Sequence, residues 1–89
     1  MANERVSVMF DRRKTVEKCG FGYVEIQIYL SRNGRKYIGL GKCRPNELND
    51  MVSSPEVQKE LKRCNDIISA MILFDDEMTV QQFDSYYLG

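Results

Sequence analysis

The side chains of this chain that could do chemistry are cationic and polar residues in its first half. Six fall within residues 22–42, and three more are consecutive at residues 12–14. Lys and Arg neutralise phosphates, and Arg and Gln can also read base edges in the major groove. The candidate nucleic-acid-contacting residues are therefore Arg12, Arg13, Lys14, Gln27, Tyr29, Arg32, Arg35, Lys36 and Lys42.

The charges of the chain are divided between its two halves. The net charge is zero, but residues 1–46 hold ten Lys or Arg against four acids, whereas residues 47–89 hold three against nine. Such an asymmetry indicates a basic binding surface joined to an acidic remainder. The 89 residues, with 43% hydrophobic and 29% charged side chains, are enough for one small folded domain.

Motifs for catalysis or metal binding are missing from the sequence. It contains no histidine, no Gly-rich phosphate loop and no nucleophile motif. Gly20-Phe21-Gly22 and Gly39-Leu40-Gly41 are interpreted as glycines that shape strand ends, and Asp75-Asp76-Glu77 as a solvated helix end. We expect a non-catalytic chain without cofactor or metal.

The three cysteines, Cys19, Cys43 and Cys64, lack the close spacing of a zinc site. An odd number without a secretory leader fits free thiols in a reducing cytosol. The N-terminal residues include no long apolar run, so neither a signal peptide nor a membrane span is expected. These features predict a cytoplasmic protein.

A β-hairpin over Gly22–Lys42 is the element that must position the candidate residues. Val24, Ile26, Ile28 and Leu30 alternate with Tyr23, Glu25, Gln27 and Tyr29, which predicts a strand with one apolar and one polar face. Asn33-Gly34 predicts a type I′ turn. A third strand is expected at about residues 36–40, in a register that the sequence leaves open.

A first strand at Arg5–Phe10 completes an antiparallel meander, and residues 11–22 are expected to form a loop. Ser54 and Pro55 predict the start of a long helix to about Phe74 that covers the apolar face of the sheet. Its apolar stripe is Val57, Leu61, Cys64, Ile68 and Met71. Thr79 with Gln82 predicts the start of a second, short helix. The fold class is therefore α+β, a three-stranded antiparallel sheet packed on one long helix, with a short C-terminal helix.

The basic hairpin has a functional and a purely structural interpretation. A narrow sheet can enter the major groove, but the same charges can simply keep an exposed sheet face soluble and its edges from aggregating. The three tyrosines of the hairpin, Tyr23, Tyr29 and Tyr37, can stack on unpaired bases or pair across strands.

The order of elements resembles a known family. A strand and a basic loop precede the hairpin YVEIQIYLSRNGRKYIGLGK, which is followed by a Pro-Asn-Glu-Leu connection, a long helix and a Thr-led helix. This arrangement over residues 5–78 resembles the N-terminal arm-binding domain of tyrosine recombinases, especially phage-type integrases of Bacteroides. Residues 79–89, TVQQFDSYYLG, are similar to the segment that leads into the core-binding domain.

The resemblance implies a DNA-binding module at residues 1–78, followed by the start of a linker helix at residues 79–89. It implies that the sheet face grips arm-type sites in duplex DNA, with other integrase protomers of a synaptic complex as further partners. Gln27, Tyr29, Arg32, Arg35 and Lys36 are then expected nearest the bases, and Arg12, Arg13, Lys14 and Lys42 on phosphates. The catalytic residues of the recombinase would lie in a separate C-terminal domain, so Tyr86 and Tyr87 are not expected to be nucleophiles.

Two other functions remain open on the sequence. One is an RNA- or single-strand-binding module that uses the same face. The other is a protein-interaction domain that uses its acidic helix.

Overall fold

Three antiparallel strands form one sheet in the computed structural model, which describes residues 5–89. They are β1 (Val6–Phe10), β2 (Gly22–Ser31) and β3 (Gly34–Cys43), in the order β1-β2-β3. The predicted meander is confirmed. The third strand extends beyond the predicted residues 36–40 at both ends, and it continues past Leu40 because a bulge accommodates the glycines on either side of that residue.

The turn of the hairpin lies at Arg32 and Asn33 and differs from the predicted type I′ turn. Ser31 pairs with Gly34, and positive φ occurs elsewhere, at Asp11, Lys14, Gly20, Gly41 and Asp75 within residues 5–89. A Cβ at position 34 would lie 2.8 Å from the hydroxyl oxygen of Ser31, so glycine at this position avoids a close contact.

The segment between β1 and β2 is more ordered than the predicted loop, because it contains the short helix α1 (Val16–Cys19). The Asp11 carboxylate accepts hydrogen bonds from the backbone N–H groups of Thr15 and Val16, at 2.7 and 3.2 Å. The Thr15 hydroxyl donates to the carbonyl of Phe21 at 2.7 Å. These bonds fix the loop that carries Arg12 and Arg13.

The helices begin where the sequence predicts. After a 3₁₀ turn (Pro45–Glu47) and helix α2 (Leu48–Val52), helix α3 runs over Pro55–Leu73 and helix α4 over Val80–Leu88. The Ser54 hydroxyl accepts from the N–H of Val57, and the Thr79 hydroxyl accepts from that of Gln82. Both N-caps are therefore confirmed.

The core lies between one face of the sheet and the helices α3 and α4. Val24, Ile26, Ile28 and Leu30 are at most 1% exposed, as predicted. From the helices come Cys64, Ile67, Ile68, Met71 and Phe83. Ile67 is an addition to the predicted stripe, and Leu61 is only half-buried. Phe83 is fully buried, so α4 belongs to the same core as the sheet.

Helix α3 is the longest helix within residues 5–89. No helix of these residues is both long enough and apolar enough to cross a membrane. All three cysteines are free thiols, with Cys43 and Cys64 buried and Cys19 exposed. Burial raises the pKa of the Cys64 thiol to about 11.

Candidate nucleic-acid interface

The face of the sheet turned away from the helices carries most of the candidate residues. Tyr23, Gln27 and Tyr29 of β2 lie opposite Lys42, Tyr37 and Arg35 of β3, respectively. Residues that pair across strands project from the same side of the sheet. We call this surface, together with the loop that covers it, the basic sheet face; its residues are Arg12, Arg13, Phe21, Tyr23, Glu25, Gln27, Tyr29, Arg35, Tyr37, Lys42 and Arg44.

Bulges in the strands decide which residues reach this face. Leu40 is an extra residue in β3, because Glu25 pairs with Gly39 while Val24 pairs with Gly41. Before the bulge, odd-numbered residues such as Arg35 face away from the helices; after it, the even-numbered Lys42 does. Because Leu40 is accommodated in a bulge, Lys42 lies on the same side of the sheet as Arg35.

Three arginines lie over the three tyrosines of the hairpin. The guanidinium carbon of Arg12 is 4.0 Å from the ring centre of Tyr37, and that of Arg13 is 4.7 Å from Tyr23. Arg35 lies over Tyr29 at 5.5 Å. Cation–π contacts at exposed sites contribute about 0.5–1 kcal/mol each, so the rings hold the cations at the surface in defined positions.

Phe21 extends the same pattern to the far end of the hairpin. The ammonium of Lys42 is 5.7 Å from its ring centre, and the guanidinium carbon of Arg44 is 5.3 Å from it. Both cations are exposed. The basic sheet face therefore repeats one arrangement, a cation above an aromatic ring, from one end to the other.

Glu25 is the exception on this face, because it is a carboxylate that is only 3% exposed. Its two oxygens accept hydrogen bonds from Nε and Nη2 of Arg12, at 3.2 and 3.1 Å. Nη2 of Arg13 lies 3.7 Å away. The hydrogen bonds that Arg12 donates to Glu25 are the main cause that raises the pKa of the Arg12 guanidinium.

Lys36 does not lie on the basic sheet face, so the prediction that places it on the polar face or tip of the hairpin is wrong. It pairs with Ile28, so it projects toward the helices, where its ammonium forms an ion pair with Asp84 of α4 at 2.8 Å. Tyr37 takes the position on the polar side. The sequence could not decide between them because the register of β3 against β2 depends on two irregularities, one at Leu30 beside the turn and one at Leu40.

The other predicted residues are placed as follows. Lys14 is exposed in the loop before α1, with a φ of 59°. Arg32 is exposed in the hairpin turn, beyond the end of the sheet. Gln27 is half-buried in the middle of the basic sheet face, between Ser7 of β1 and Tyr37.

Five residues of this face lie outside the predicted set of duplex contacts, namely Phe21, Tyr23, Glu25, Tyr37 and Arg44. Of these, Tyr23 and Tyr37 are predicted from the sequence only to stack on unpaired bases or to pair across strands. Phe21 and Arg44 lie just outside the predicted strands. The outward positions of β2, continued back from Tyr23, include Phe21, and those of β3, continued forward from Lys42, include Arg44. Glu25 occupies a polar position in the alternating pattern, and nothing in that pattern indicates that it is buried.

The helical side offers a different kind of surface. A groove of about 830 Å³ runs along α3 and reaches Tyr86 of α4. Its charged lining is balanced, with Glu56, Glu60 and Asp66 against Lys59, Lys62 and Arg63. Such a lining does not favour a ligand of either charge.

Within residues 5–89, no three Cys, Asp or Glu side chains lie close enough together to hold a metal ion. Comparisons of the chain with protein-family models, with curated proteins and with solved structures find no match.

Proposed function

We propose that this chain is a duplex-DNA-binding module whose contact surface is the basic sheet face. The observation that carries the proposal is that Arg35, Lys42 and Arg44 lie over aromatic rings on the side of the sheet opposite the helices. Phosphate neutralisation by Lys and Arg supplies most of the non-specific affinity for DNA. Cations that are already positioned lose less side-chain freedom on binding.

The dimensions of the hairpin fit this role. Neighbouring strands lie about 4.8 Å apart, and a two-stranded ribbon can enter a major groove about 12 Å wide. Gln27 and Arg35 are then the side chains suited to base edges, because amide and guanidinium groups form paired hydrogen bonds with bases. Lys14, Lys42 and Arg44 are suited to phosphates, and Arg32 at the turn can reach either.

The same arrangement gives less support to a single-strand or RNA module. Base stacking needs an open aromatic face. One face of Tyr37 and one face of Tyr23 are covered by Arg12 and Arg13. An unpaired base would have to displace these arginines, and Arg12 is also held by Glu25.

The biological setting that we propose is the arm-type module of a tyrosine recombinase of the phage-integrase type, acting in the cytoplasm. The basis is the order of elements, a basic three-stranded meander followed by a capped long helix and a Thr-capped short helix. In that setting the module would tether catalytic domains to DNA beside other protomers. The free thiols are compatible with a reducing compartment.

The test is a titration of the 89-residue chain with a fluorescein-labelled duplex of mixed sequence at several salt concentrations, followed by fluorescence anisotropy. Each phosphate contact contributes about −0.9 to the slope of log K against log salt. With Lys14, Arg32, Arg35, Lys42 and Arg44 as contacts, we expect a slope of about −3 to −5. Affinity that is absent or unaffected by salt contradicts the proposal, and tighter binding of the matching single strand favours the RNA or single-strand module.

A pair of charge reversals locates the surface. Arg35→Glu is expected to weaken duplex binding about tenfold or more, because one arginine–base contact contributes about 1–3 kcal/mol. Lys59→Glu makes the same charge change on exposed α3, and we expect little effect. Equal losses from the two variants would mean that net charge, and not this face, controls binding. Circular dichroism checks that both variants fold.

A further inference from the structure

Glu25 lies in the middle of the surface proposed to bind an anionic polymer. It occupies the central strand, opposite Met9 of β1 and Gly39 of β3. A buried carboxylate is costly unless it is paired and hydrogen-bonded. Glu25 is 3% exposed, and its carboxylate is paired with the guanidinium groups of Arg12 and Arg13.

The cover over Glu25 comes from the arginines of the loop. A Cβ built on Gly39, its neighbour across the strand, would have no atom within 4 Å, so that position leaves open space beside the carboxylate. Arg12 donates to both oxygens of Glu25, and Arg13 approaches within 3.7 Å. One carboxylate thus faces two guanidinium groups.

Each of the two arginines is held twice. Arg12 is bound to Glu25 and lies over Tyr37, and Arg13 lies over Tyr23 beside the same carboxylate. The loop that carries them is fixed in turn by the hydrogen bonds that the backbone N–H groups of Thr15 and Val16 donate to the Asp11 carboxylate.

We propose that Glu25 is a positioning residue that keeps Arg12 and Arg13 on the sheet and off the phosphates. This inference rests on the proposed DNA-binding function, and it replaces the sequence-based assignment of the two arginines to phosphate contacts. A cation that is paired within the protein releases no counterion from DNA. Glu25 therefore lowers non-specific affinity and leaves a larger share of binding to the side chains that read bases.

The experiment compares the wild-type chain with Glu25→Gln on the same mixed-sequence duplex. Removal of the carboxylate charge frees one guanidinium for a phosphate, so the salt slope is expected to become steeper by about 0.9, equivalent to about threefold more loss of affinity between 50 and 200 mM salt. At the lowest salt concentration, Glu25→Gln is expected to bind more tightly than wild type. A purely structural role predicts the opposite, weaker binding with an unchanged or shallower slope.

Two matched variants isolate the cause. Glu25→Asp keeps the charge and should keep the wild-type slope; a slope like that of Glu25→Gln would overturn the proposal. Glu56→Gln makes the same charge change at the exposed start of α3 and should leave the slope unchanged. A steeper slope from Glu56→Gln would also overturn it, because the effect would then come from net charge.

A second comparison serves if Glu25→Gln does not fold. In Arg12→Gln, the carboxylate is expected to pair with Arg13; in Arg12→Gln/Glu25→Gln, two amides replace the ion pair and Arg13 is freed. The double variant should have the steeper slope by about 0.9, and equal slopes overturn the proposal. A wild-type chain that binds no DNA contradicts the proposed function itself, whereas binding with slopes that ignore Glu25 contradicts this inference alone.

Discussion

The two faces of the sheet use the same strand in opposite ways. On the helical side, Ile26 and Ile28 of β2 are fully buried, and the cation Lys36 is tied to Asp84 of α4. On the basic sheet face, Tyr23 and Tyr29 support cations that point away from the core. The charge of Lys36 joins the sheet to α4, whereas the cations of the basic sheet face lie over aromatic rings.

The tyrosines show the same difference. Tyr87 of α4 donates its hydroxyl hydrogen to Glu60 of α3 at 2.6 Å, so it links two helices through its polar end. Tyr37 uses its ring as a platform for Arg12. Tyr87 thus joins α3 to α4 through its hydroxyl while Arg63 lies over its ring at 4.1 Å, whereas Tyr37 contributes its ring to the basic sheet face. This contrast suggests that variants on the two sides should affect different measurements.

The largest effect is expected in the core. Phe83→Ala should lower the free energy of unfolding by about 3–5 kcal/mol, because it removes a fully buried aromatic side chain between α4 and the sheet. Urea denaturation measures the change. Leu88→Ala on the same helix, where the side chain is 77% exposed, should change it by less than about 0.5 kcal/mol. Similar values for the two would show that α4 does not belong to the core.

An intermediate effect is expected from the Tyr87–Glu60 hydrogen bond at high pH. That bond, together with burial, raises the pKa of Tyr87 to about 12, above its ordinary value near 10. The folded state therefore holds this proton more tightly than the unfolded state does. The resulting stabilisation is complete below pH 10 and is lost as the pH rises toward 12, which amounts to about 2–3 kcal/mol.

Urea denaturation of wild type and Tyr87→Phe between pH 9 and pH 12 tests this expectation. The phenylalanine variant should lose about 2 kcal/mol less over that range. A residual slope is expected in both proteins, because the pKa of Cys64 is raised as well. An identical loss in both would mean that Tyr87 is not responsible, and DNA affinity near neutral pH should be the same for both.

The smallest effect is expected at Lys36, and it separates the two faces most directly. Lys36→Gln removes a partly exposed ion pair, so stability should fall by at most about 1 kcal/mol. Duplex affinity should remain at the wild-type value. The neighbouring Arg35→Gln should do the reverse, with lower affinity and little change in stability. A loss of affinity from Lys36→Gln comparable to that from Arg35→Gln would place the DNA on both sides of the strand.

Features set by neighbouring residues could be predicted from the sequence. The alternation in β2 fixed its buried face, and Ser54 and Thr79 marked the starts of α3 and α4 through bonds that span three residues. These are local effects of backbone geometry and capping. They depend little on where the rest of the chain lies.

Features that depend on distant residues could not be predicted in the same way. Lys36 and Lys42 are both even-numbered residues of β3, yet the bulge between them sends one to each face. Glu25 looks like any solvent-exposed strand residue until the loop brings Arg12 and Arg13 across it. Glu25 is paired with Arg12 and Arg13, which lie 13 and 12 residues earlier in the chain. The alternation within β2 gives no indication of these partners.

The extra residue at Leu40 also bears on how such a surface can change over time. Removal of this one residue would leave Gly39 opposite Glu25 and Gly41 opposite Val24 in a regular ladder, so Lys42 would still face away from the helices and Cys43 toward them. The bulge is thus a position at which the length of the strand can vary among related sequences while the cation that follows it stays on the outer face.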